Sequence, residues 1–68
     1  MPTVIVYPPD EDGGRRVRVG GVILGRAFRL EDVAAFLQTA GLDGIDDLDV
    51  AAAGWIVWRG GGPDDWVH

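Results

Sequence analysis

The chain contains no cysteine, no lysine, no serine and no asparagine, and its one histidine is the last residue, His68. Without cysteine there is neither a disulfide nor a thiolate nucleophile. A structural zinc site takes four ligands drawn mainly from Cys and His, so no metal site is expected. The only hydroxyls belong to Thr3, Tyr7 and Thr39, and a terminal histidine lacks the fixed position that a general base requires. No catalytic residue and no cofactor is assigned, and the chain is read as a non-enzyme. Long apolar runs are missing as well. The longest uncharged one, VAAAGWIVW at 50–58, falls well short of the ~20 residues a membrane helix needs. The opening MPTVIVYPP has neither the basic start nor the apolar stretch of a signal peptide. These absences predict a cytoplasmic protein with no membrane partner.

What is present is the composition of a globular domain: 47% hydrophobic and 25% charged residues, outside the disordered range. Sixty-eight residues make one domain, 1–68. A core of that size typically contributes about 3–5 kcal/mol unless something staples it. With disulfides and metal excluded, the staples left are dense packing or a partner chain, a first argument for a homodimer.

β-rich runs, apolar periodicity and turn residues lay out the elements. TVIVY (3–7) is a strand, and Pro8-Pro9 is expected to end it, since proline donates nothing to a ladder. PPDEDGG (8–14) reads as a polar loop. RRVRV (15–19) alternates, with Arg16 and Arg18 on one face and Val17 and Val19 on the other. Gly20-Gly21 suits a two-residue hairpin turn, and VILGRAF (22–28) returns, with Gly25 marking a bulge or a close helix contact. A helix follows over about 30–40, where Leu30, Val33, Phe36, Leu37 and Ala40 form one buried stripe. Glu31 and Asp32 suit its first turn. Gly41 and Leu42 suit its C-terminal cap, but no capping side chain precedes it. The acidic connector GLDGIDDLD (41–49) leads to a short turn over 50–53 capped by Asp49, then to a last strand, WIVWR (55–59), and a Gly-rich tail (60–68). The predicted fold is a small α+β domain. A three-stranded antiparallel meander, one helix and a fourth strand make a β-β-β-α-β mixed sheet with the helix on one face. The fourth strand is placed beside the first, which is apolar on both faces and therefore central.

Three motifs bear on chemistry. GGVILGR (20–26) has the glycine spacing of a phosphate loop but lacks its lysine and hydroxyl, so it reads as a hairpin turn. The single RGG at 59–61 reads as a turn. Asp43, Asp46, Asp47 and Asp49 do not follow the spacing of a calcium loop and read as a solvated acidic loop.

The distribution of charge is more informative. Five of the six arginines, at 15, 16, 18, 26 and 29, fall in the first half, whereas residues 31–68 hold eight acids and one arginine. The net charge of −5 opposes nucleic-acid binding, which calls for a basic footprint. In a strand Trp55 and Trp58, three apart, point to opposite faces. One would pack under the helix and the other would emerge beside Arg16 and Arg18, and Trp with Arg is the composition of interface hot spots. Two arrangements stay open and can coexist: Trp66 folds back over the exposed ring as a lid, or the ring stays free for a partner. The candidate interaction surface is Arg16, Arg18, Trp55, Trp58, Arg59 and Trp66.

VGGVILGRAFRLEDVAAFLQTAGL (19–42) and WRGGGPDDW (58–66) resemble short proteins of unknown function from Streptomyces and related actinobacteria. The two stretches cover about half the chain. A Ser or Thr before the helix belongs to that pattern, and Arg29-Leu30 departs from it. The resemblance carries over no activity and no functional residue. The resulting expectation is a protein-interaction or regulatory module that binds a protein partner, itself included, through the open sheet face. The alternative is a nucleic-acid-associated protein using the Arg15–Arg18 strand and an exposed tryptophan.

Overall fold

The computed structural model describes residues 3–66; His68, read above as a terminal residue without a fixed position, lies outside them. The fold is a small α+β domain in which a four-stranded mixed sheet carries its helices on one face. The strands are β1 (Val4–Pro9), β2 (Arg15–Val19), β3 (Val22–Ala27) and β4 (Ile56–Trp58), with α1 (Leu30–Thr39) and α2 (Asp47–Ala52) between β3 and β4. Spatial order is β3-β2-β1-β4. β1 pairs antiparallel with β2, β2 antiparallel with β3, and β1 parallel with β4. The fourth strand thus lies beside the first, as its two-sided apolarity predicts.

Strand parity decides the core. Val4 and Val6 of β1, Val17 of β2 and Ile56 of β4 share one face with Ala27, and pack against Val33, Ala34 and Leu37 of α1 and Val50 of α2. Gly25 lets α1 approach, because a Cβ there would lie 2.7 Å from Phe36 Cζ. The register shift between Val17 and Arg18 falls at the same place, so the glycine marks both a bulge and a close helix contact. α1 ends in a Schellman motif. Gly41 at φ 97 turns the chain, the Gly41 amide donates to Gln38 O at 3.0 Å and the Leu42 amide to Leu37 O at 2.9 Å. At the other end Arg29 occupies the N-cap with no side-chain cap bond. Asp32 instead accepts from the Phe28 amide at 2.9 Å.

Three boundaries differ from the sequence reading. β1 runs on through Pro8 and Pro9. Its register shifts after Val6 and β4 ends opposite it, so the missing proline N–H groups break few ladder bonds. The turn expected at 50–53 is a helix that begins earlier. Asp46, not Asp49, is its cap, and the two form a reciprocal capping box: the Asp49 amide donates to Asp46 at 3.0 Å and the Asp46 amide to Asp49 at 3.1 Å. β4 starts at Ile56, so Trp55 stands in the preceding turn, outside the strand. No helix among the described residues is long and apolar enough to cross a membrane.

Candidate interaction surface

Sequence parity puts Arg15 on the same side of β2 as Val17 and Val19, and the structure buries it completely. Its guanidinium spends all five N–H donors on backbone carbonyls. Nε donates to Tyr7 O at 2.8 Å. Nη1 donates to Gly62 O at 2.8 Å and Asp65 O at 3.1 Å, and Nη2 to Arg59 O at 3.1 Å and Gly61 O at 2.9 Å. Four of these acceptors lie in residues 59–65, so one side chain gathers the whole Gly-rich segment. The planar fork supplies donors in fixed directions, and glycine lets the backbone bend its carbonyls toward them. At Gly60, with φ 73, a Cβ would lie 2.5 Å from Pro8 Cβ.

Two indole rings complete the enclosure. The Arg15 guanidinium carbon lies 5.3 Å from the Trp58 ring centroid and 5.2 Å from that of Trp66, both within cation–π range. The rings meet edge to face at 6.3 Å and 89°. Trp66 donates from Nε1 to Pro63 O at 2.6 Å, and Asp65 closes the loop by accepting from the Gly62 amide at 2.8 Å. Burial lowers the Arg15 pKa and the nearby Asp65 opposes that shift. An arginine starts so far above neutrality that the cation persists.

Among the described residues no helix packs on the opposite face of the sheet. Register places Ile23, Arg18, Ile5 and Val57 in one row, a residue from each strand in spatial order. Ile23 is 54% and Val57 43% exposed. Beside this row Arg18 Nη1 donates to the Tyr7 hydroxyl at 3.3 Å, and the Arg59 guanidinium lies 5.6 Å from the centroid of the Tyr7 ring. The hydrogen bond from Arg18 is the main reason the Tyr7 pKa lies below its ordinary value; the charges of Arg18 and Arg59 add to it, against a smaller opposing effect of burial. Arg16 pairs in register with Arg26. Arg26 is neutralised by Asp10 at 3.0 Å and Asp12 at 2.9 Å. Among the described residues no carboxylate forms an ion pair with Arg16, Arg18 or Arg59.

The six residues singled out from the sequence therefore do not make one surface. Arg16, Arg18 and Arg59 share the open face. Trp58 and Trp66 lie half-buried on the other side, against Arg15 and the core. Trp55, at 37% exposure, sits in the turn before β4, so the parity argument relating it to Trp58 does not apply. Arg15, counted with the exposed arginines in the nucleic-acid alternative, is unavailable to phosphate. Sequence reasoning missed Tyr7, Ile5, Ile23 and Val57 as members of the face; the strand pairing, once known, collects them. The described residues contain no pocket and no group of three or more His, Cys, Asp or Glu able to hold a metal ion.

No protein-family model matches the chain, and no curated protein and no solved structure matches it significantly.

Proposed function

We propose that this protein is a protein-interaction module whose working surface is the open face of its sheet. One observation carries the reading. An aliphatic and arginine row, Ile23–Arg18–Ile5–Val57, crosses all four strands on the face away from the helices, with Ile23 and Val57 exposed. Exposed apolar patches rimmed by polar groups mark interaction sites. Trp58 and Trp66 enclose Arg15 on the helix side and leave recognition to the opposite side.

The test is quantitative affinity capture from a cell extract together with solution mass by light scattering, comparing the wild type with an Ile23→Glu/Val57→Glu variant. Loss of associated proteins, or of oligomers, in the variant is the expected result. The same associated proteins and the same mass in both would overturn the reading.

A further inference from the structure

The open face also indicates what kind of partner it fits. We propose, resting on the reading above, that this face takes an acidic segment of a separate protein chain, one whose carboxylates alternate with apolar side chains.

The charge pattern carries the argument. The chain is −5 overall, yet Arg16, Arg18 and Arg59 stand on one face without a carboxylate partner among the described residues. Four of the acids are engaged by other groups: Asp10 and Asp12 hold Arg26, the in-register neighbour of Arg16, and Asp46 and Asp49 cap α2. Apolar groups stand between the arginines, with Ile5 next to Arg18 in one row and Val57 two residues before Arg59. A ligand that satisfies both must present carboxylates at guanidinium positions and apolar groups between them. Guanidinium and carboxylate match in planar, bidentate geometry.

The same features disfavour other occupants. A second copy stacked face to face would bring two arginine-bearing faces together, and like charges juxtaposed across an interface cost several-fold in affinity at least. Single-stranded nucleic acid binds by stacking bases on aromatic faces. The ring on this face, Tyr7, already has the Arg59 guanidinium over it, and the net charge repels phosphate at long range.

The experiment is selection from a random-peptide phage library on immobilised full-length protein, repeated on an Arg16→Glu/Arg18→Glu variant, with a single-stranded oligonucleotide titrated in parallel. Near-ultraviolet circular dichroism of the Trp58–Trp66 pair checks that the variant is folded. The expected result is a selected pool rich in Asp and Glu, at least about tenfold less enriched on the variant, with affinity falling as salt rises. Peptides without an acidic bias that still compete for this face would overturn the partner chemistry and leave the docking surface standing. No peptide enrichment that depends on this face would overturn both. Oligonucleotide binding that the variant abolishes would assign the face to nucleic acid. A solution mass that rises with concentration, and returns to that of a monomer in the variant, would assign it to a second copy.

Discussion

At the residue scale the molecule turns on Arg15. A chain this short, without cysteine or a zinc ligand set, lacks the usual staples. One buried guanidinium takes their place by tying β2 to a segment more than forty residues later. Lysine offers three donors from a point charge and cannot reproduce the fork. Arg15→Lys should therefore strand at least two buried carbonyls and cost about 2–4 kcal/mol, most of the stability available to such a domain. Denaturant titration checks this, and a loss below about 1 kcal/mol would mean the carbonyls find water instead. Arg16, the neighbour of Arg15, is exposed on the opposite face. The parity that separates Arg15 from Arg16 was legible in the sequence. The five carbonyls were not, because their convergence depends on how the glycine segment folds back. Tyr7 gives a second test. Its pKa is lowered chiefly by the Arg18 hydrogen bond, so phenolate absorbance should rise at lower pH than for free tyrosine, and Arg18→Gln should move the midpoint back up. The sign for stability is fixed by linkage: a depressed folded pKa favours the folded state above the unfolded value near 10, and that contribution disappears as pH falls through the folded pKa.

Among the elements, α1 is the best specified and still carries a defect. Its C-terminus has the complete Schellman pair on Gly41 and Leu42, which the sequence announces by position. Its N-cap, Arg29, is extended at φ −165 and ψ 170, a backbone suited to a capping side chain that arginine cannot supply. The Arg29–Asp32 contact at 3.9 Å is exposed and contributes little. Arg29→Ser should stabilise the protein by about 0.5–1 kcal/mol, measured by thermal or chemical unfolding; no gain would mean that the existing Asp32 bond to the Phe28 amide already does the work of the cap. β2 and α1 were readable because each repeats a period over five or more residues, and β1 and β3 because each is an apolar run set off by proline or glycine turns. α2 was only half readable, since its capping box uses aspartate where glutamate is usual and its single buried anchor, Val50, sets no period. β4 is three residues long, too short for alternation to locate its start. The error at Trp55 came from that: a strand begun one residue early assigns a face to a side chain that stands in a turn.

For the molecule as a whole, the two faces of the sheet divide the labour. One face holds the helices and, at the C-terminal end of β1 and β4, the Arg15 enclosure; the other carries Arg16, Arg18 and Arg59 and, among the described residues, no helix. This arrangement makes the C-terminal segment a constituent of the fold. The Arg59 amide donates to Val6 O at 2.8 Å, continuing the β1–β4 ladder into the segment, and Arg15 fixes the carbonyls of Gly61, Gly62 and Asp65 beyond it. Release of the segment would break the Arg15 bonds to Gly61, Gly62 and Asp65 and part the Trp58–Trp66 contact, a large share of the small stability of such a domain. The segment should therefore melt with the sheet. Thermal unfolding followed by near-ultraviolet circular dichroism, which reports the edge-to-face Trp58–Trp66 pair, should coincide with the far-ultraviolet transition that reports the strands and helices. In a Trp66→Ala variant both transitions should move down together, by an amount in keeping with the loss of one aromatic contact and one face of the cation's enclosure, about 1–3 kcal/mol. A near-ultraviolet transition well below the far-ultraviolet one in the wild type would show a segment that docks and releases on a preformed sheet, and Arg15 would then be a latch on a moving strap.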